Sequence, residues 1–201
     1  ATFEEFVQEA SAIIQNAKDD SIHLNAMRAS IPQDLINAFE KSPQAVVRLL
    51  TSWTYVNAAP FHEKSNIRSF LRGDRPNWAL VAENRHFERD IETNCYEDML
   101  DYVTSASNRP SVSVVLGSAG YGITTLLMSL AARIVKDRAA AVFMLKPGFS
   151  IIEGDIEFAS ICFPDKPFFF VDNAADFCTP LESIIQRLRN TNRSVMFVLG
   201  E

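Results

Sequence analysis

Cysteine is scarce in this chain, and Cys95, Cys162 and Cys178 share no common spacing. An odd, scattered set excludes a Cys-x-x-Cys metal site and argues against a disulfide framework. Reduced thiols in a cytoplasmic setting are the expectation. Histidine is equally rare, and His23, His62 and His86 show no ligand spacing. Positive charge is also in short supply: 19 Lys and Arg face 25 Asp and Glu, for a formal net charge of −6. Direct nucleic-acid binding is therefore not expected, because it needs a basic face against the phosphates. No apolar run reaches the length of about 18 residues that suggests a membrane-spanning helix. No leader pattern opens the sequence. Internal repeats and low-complexity stretches are missing as well.

The most telling absence is a single lysine. After Ser113-Val114-Val115-Leu116 comes Gly117-Ser118-Ala119-Gly120-Tyr121-Gly122-Ile123-Thr124-Thr125. The phosphate-loop pattern G-x-x-x-x-G-K-[ST] fits at Gly117, Gly122 and Thr124, but Ile123 occupies the lysine position. Such a loop turns a strand into a helix so that backbone N–H groups point inward and form an anion nest. The helix N-terminus adds unsatisfied donors and partial positive charge. Glycines at 117, 120 and 122 are expected to permit left-handed angles and close approach of a ligand. Thr124 would offer its hydroxyl to Mg²⁺ beside the phosphates. A lysine would add a charged hydrogen bond worth roughly 1.5–3 kcal/mol, so its loss lowers nucleotide affinity on the order of 10- to 150-fold.

A second apolar run, Pro167-Phe168-Phe169-Phe170-Val171, ends in Asp172 and Asn173. In phosphate-loop proteins such a strand is expected next to the loop strand, with its terminal Asp holding Mg²⁺ directly or through water. Asp172 takes that role here. A carboxylate is then needed to activate water. Asn173 cannot act as a base, and Asp176 is the nearest candidate.

Ala141-Val142-Phe143-Met144-Leu145 and Val195-Met196-Phe197-Val198-Leu199 supply two more strands. Continuous apolar runs suit a parallel sheet buried on both faces, and the alternation with helices predicts a doubly wound α/β architecture. Leu127, Leu130, Ala131, Ile134 and Val135 share one face of the helix after the loop. Residues 90–102 form an acidic helix. Asp90 can cap it, Ile91, Cys95, Met99, Leu100 and Val103 face the core, and its acids face solvent.

Residues 1–77 read as a small all-helical domain. Phe3, Phe6, Val7, Ala10, Ile13 and Ile14 share a helical face, as do Leu35, Ile36 and Phe39, and then Val46, Leu49, Leu50 and Trp53. Ser30 and Ser42 suit N-caps, Pro43 suits a first helical position, and Ser65 to Leu71 is a short helix. No catalytic constellation appears there, so protein–protein interaction is its expected role. The polar stretch from Arg72 to Asn77 reads as a linker to a phosphate-loop domain over residues 78–201.

The loop Gly117–Thr125 and the run Phe168–Asp176 resemble those of the STAND class of signal-transduction NTPases, within the P-loop ATPases that include AAA and NACHT modules. The family loop is typically GxxGxGKTT, and this one matches in all but the lysine. The segment from Trp78 to Ile91 is similar to the one preceding the loop domain in bacterial STAND proteins of antiviral defence, where it often lies against the adenine. By that resemblance Phe87 and Arg89 are base-contact residues, and the ligand is ATP or ADP with Mg²⁺. The resemblance also implies a RecA/AAA-like sheet and a nucleotide-gated switch. In that family a trigger bound by C-terminal sensor repeats opens the switch and drives homo-oligomerisation. A fifth strand, a lid and a sensor would follow the Val195–Leu199 strand, so the chain reads as a fragment truncated on its C-terminal side. Ile123 and the absence of an acid directly after Asp172 stand against efficient hydrolysis. The alternative is a nucleotide-free scaffold that works by protein contact.

Overall fold

The computed structural model describes residues 33–56, 67–83, 85–138, 140–163 and 165–201. The helix expected over residues 3–14, the cap at Ser30, the start of the helix expected from Ser65, and His23 and His62 lie outside these residues. The chain divides into two compact units, Ala1–Val47 and Arg48–Glu201.

In the first unit a short 3₁₀ turn, Gln33–Leu35, leads into helix α1, Ile36–Lys41. The N–H of Ser42 donates to Ala38 O and closes that helix. Helix α2, Pro43–Ser52, starts on the proline, whose missing N–H costs nothing at a first helical position. Leu35, Ala38, Phe39 and Val46 are buried.

The second unit holds the rest of α2 and a five-stranded sheet. In chain order it contains β1 (Trp53–Val56), α3 (Ile67–Leu71), α4 (Trp78–Ala82), α5 (Asp90–Thr104), β2 (Ser111–Val115), α6 (Ile123–Arg138), β3 (Val142–Leu145), α7 (Glu153–Cys162), β4 (Phe168–Val171), α8 (Cys178–Asn190) and β5 (Met196–Gly200). The strand order is β1-β3-β4-β5-β2, with four parallel strands and β1 antiparallel on β3.

Two expectations are corrected by this order. Trp53 does not continue the helical face of Val46 and Leu49. It opens β1, where Trp-Thr-Tyr-Val is an aromatic and β-branched run suited to a pleated surface. The sheet is therefore mixed and not wholly parallel. The acidic strand β4 also does not neighbour the loop strand β2, because β5 lies between them. The register pairs Val171 with Leu199 and Val115 with Gly200, so all three strands end at one edge of the sheet.

Alternation along each strand feeds two cores. Phe168, Phe170, Met196 and Val198 face α4, α5 and α6 with Met99, Leu127, Leu130 and Ile134. Phe169, Phe143, Phe197 and Trp53 face α2, α7 and α8 with Leu49, Ile156 and Ile184. Trp53 meets Phe169 edge-on at 4.9 Å, and Phe143 stacks on Phe169 at 5.1 Å. Burying each such ring contributes about 1.5–3 kcal/mol. The Arg48 guanidinium pairs with the fully buried Asp155 at 2.5 Å and ties α2 to α7.

The outer strand β2 is finished on one face only. Val115 is buried beneath α6, whereas Val112, Val114 and Leu116 are 39%, 55% and 73% exposed.

Helix α5 departs from expectation at its start. Arg89, not Asp90, occupies the N-cap position, and Asp90 lies in the first turn, where the helix dipole favours a carboxylate. Ile91 is exposed, and Glu92 is not on a solvated face but buried, accepting a hydrogen bond from Ser129 Oγ on α6.

Candidate functional site

The loop after β2 leaves the sheet through a fixed doorway. Glu201 N–H donates to Val115 O at 3.0 Å and Gly117 N–H donates to Glu201 O at 2.8 Å, extending the ladder past β5. Tyr121 N–H then donates to Ser118 O at 3.0 Å and closes the turn. Gly120 and Gly122 have φ of +83° and +69°, a region that side-chain-bearing residues rarely enter. Helix α6 starts at Ile123. Among the described residues the N–H groups of Ala119, Gly120, Gly122, Ile123 and Thr124 have no hydrogen-bond acceptor. That leaves a turn and a helix N-terminus with several free donors, the construction that binds phosphate.

Gly117, unlike Gly120 and Gly122, is not left-handed, contrary to the expectation. A Cβ on Gly117 would stand 2.8 Å from Cδ1 of Ile123, and one on Gly200 would stand 2.6 Å from Cγ2 of Ile123. The isoleucine is wedged between two glycines, one on each neighbouring strand end. It packs against the α4–α6 core and carries no polar group toward the loop.

Opposite this apolar wedge lies a polar pair. Thr124 Oγ1 donates to Asp172 Oδ2 at 2.6 Å, joining the first turn of α6 to the end of β4. The gap left by β5 does not separate them, because strands two places apart end at the same edge. Asn173 follows in the left-handed region at φ 52°. It turns the chain into a 3₁₀ segment, Ala174–Phe177, where Ala175 N–H donates to Glu201 Oε2 at 2.9 Å. Asp176 is exposed.

Asp172, Asp176 and Thr124 line one cavity of about 510 Å³, together with Arg75, Lys146 and Phe149. That volume suits a small molecule. Among the described residues no cluster of three or more His, Cys, Asp or Glu could hold a metal ion. A hydroxyl and one carboxylate are hard oxygen donors that fit Mg²⁺ when phosphate and water complete its shell.

Arg89 and Phe87 precede α5. Phe87 is 87% exposed and makes no ring contact among the described residues. The Arg89 guanidinium lies against the loop: a Cβ on Gly122 would stand 2.6 Å from its Nη2 and 3.5 Å from its Cζ.

Sequence reasoning missed Glu201, Lys146 and Arg75. Lys146 and Glu201 each directly follow a parallel strand, where open α/β sheets bind their ligands; strand assignment alone would have flagged them. Lys146 is partly structural, since its Nζ donates to Leu50 O at 2.5 Å and caps α2.

A family model described as Novel STAND NTPase 5 matches residues 68–201. Among solved structures the chain is similar to "Structure of C. elegans PCH-2", at 14% identity and TM-score 0.43 over 62% of this chain. It spans 41% of that chain's length. No curated protein matches.

Proposed function

The chain belongs to the Novel STAND NTPase 5 family and carries that family's nucleotide-binding NTPase module; on that premise we propose that it acts as an ATP- or ADP-binding switch with weak or absent hydrolysis. The observation that carries this reading is the Thr124–Asp172 hydrogen bond beside a loop of free N–H donors. The free N–H groups of Ala119, Gly120, Gly122, Ile123 and Thr124 would bind the phosphates. Thr124 and Asp172 would share a Mg²⁺ ion, which supplies charge neutralisation when bound.

Hydrolysis is poorly served for two reasons. Ile123 brings no charge to the transition state. Asn173 follows Asp172 without a carboxylate, and Asp176 is an exposed residue on the cavity wall, four positions along the chain from Asp172. A module that binds and scarcely turns over suits switching. We extend the reading to a role in antiviral-defence signalling, with homo-oligomerisation in the whole protein and partners bound through residues 1–77. A cytoplasmic location agrees with the free cysteines; among the described residues no helix is long and apolar enough to cross a membrane.

One observation favours the competing reading of a nucleotide-free scaffold. Ile123 fills the space between Gly117 and Gly200 with hydrocarbon. Calorimetric titration of MgATP and MgADP into the chain separates the two. Saturable binding supports the switch, and no heat at millimolar nucleotide leaves the scaffold.

A further inference from the structure

We propose that Arg89 supplies from outside the loop the phosphate-binding cation that Ile123 has removed from within it. This rests on the nucleotide-binding reading above and differs from a base-contact role for the same residue.

Three observations converge. The Ile123 side chain points into the gap between Gly117 and Gly200, so nothing at that position reaches a phosphate. The Arg89 guanidinium lies on Gly122, the residue directly before Ile123, so close that a Cβ there would stand 2.6 Å from its Nη2. Among the described residues it forms no ion pair, so a half-buried positive charge sits uncompensated beside five free N–H donors. An anion at the loop would answer both.

Arg89 is also held in position. Its carbonyl accepts from Glu92 N–H at 2.9 Å, and the buried Glu92 carboxylate accepts from Ser129 on α6, the helix that the loop opens. The first turn of α5 is thereby fastened to the loop's own helix, with Arg89 one residue ahead of it. Glu92 is a positioning residue in this scheme. A guanidinium suits the task because its planar fork can bond two phosphate oxygens at once, and it stays charged at any physiological pH.

The test uses two probes, MgATP and inorganic tripolyphosphate, which has the phosphates without the base. Calorimetry is run on the unaltered chain, Arg89→Gln, Arg89→Lys and Arg89→Gln/Ile123→Lys, with circular dichroism to confirm folding. The proposal expects Arg89→Gln to weaken both probes by the same factor, about 10- to 150-fold. Arg89→Lys should keep part of the affinity, and adding Ile123→Lys to Arg89→Gln should restore it. Loss of MgATP binding with tripolyphosphate unaffected would make Arg89 a base contact and overturn the proposal while sparing the switch. Unchanged affinity for both probes would also overturn it alone. If the unaltered chain binds neither probe, the nucleotide reading falls, and this proposal with it.

Discussion

Thr124 and Asp172 meet through one hydrogen bond across the ends of two elements, whereas Ile123 on the other side of the loop is gripped by Gly117 and Gly200. The first side is polar and partly open to a cavity, and it adds little to the core. The second is apolar and is packed into the core. The same loop therefore has one wall kept for chemistry and one given over to folding. In a complete phosphate loop the lysine belongs to the first kind. Its replacement moves that position into the second, and the charge has to come from elsewhere or go missing.

The sharpest break of this contrast is Asp172→Ala. It should cut MgATP affinity by about 10- to 150-fold while shifting the melting temperature by less than a few degrees, as calorimetry and thermal denaturation would record. A large loss of stability would mean the polar wall is structural after all. Gly200→Ala should behave in the opposite way. Its Cβ would stand 2.6 and 2.7 Å from Ile123 and Leu127. Overpacking of this kind costs about 1–3 kcal/mol. In a chain of this size each kcal/mol lowers the melting temperature by about 2–4 °C.

Ile123→Lys tests the exchange itself. It should lose some packing and gain nucleotide affinity of roughly tenfold or more, seen by melting and titration on the same samples. If affinity does not rise, the loop has lost more than its lysine. The smallest effect is expected at exposed Asp176. Asp176→Asn should leave affinity within about twofold, since exposed substitutions stay near 0.5 kcal/mol, and should lower whatever slow phosphate release the chain retains.

Much of this was legible in the residues. Phe168–Val171 and Val195–Leu199 are unbroken apolar runs that read as buried strands, and the strands Phe168–Val171 and Met196–Gly200 fall on them to within one residue. Gly120 and Gly122 announce the turn, and the face of Leu127, Leu130 and Ile134 announces the helix behind it. Local patterns carry such features because each concerns neighbours in sequence. The order of strands is not a local property, so the insertion of β5 between β4 and β2 had no signature. The Trp53 strand was hidden by a coincidence, because it falls three residues after Leu50 and so extends a helical face. Glu92 looked like one more surface acid, and only Ser129, far along the chain, makes it a buried one. The contact of Arg89 with Gly122 was likewise invisible, although the residue itself stood out.

The half-finished strand β2 has a consequence for how the sheet breathes. β4 is hydrogen-bonded on both edges and covered on both faces, and its four residues are fully buried. Among the described residues β2 has a partner on one edge, β5, and it leaves Val112 and Val114 open to water. Amide protons should therefore exchange with deuterium in a gradient across the sheet: within minutes along the free edge of β2, and only through global opening in β4. The loop springs from the fast end of that gradient and Asp172 from the slow end. A ligand that bridges them would be read most clearly as a slowing of the amides of β2.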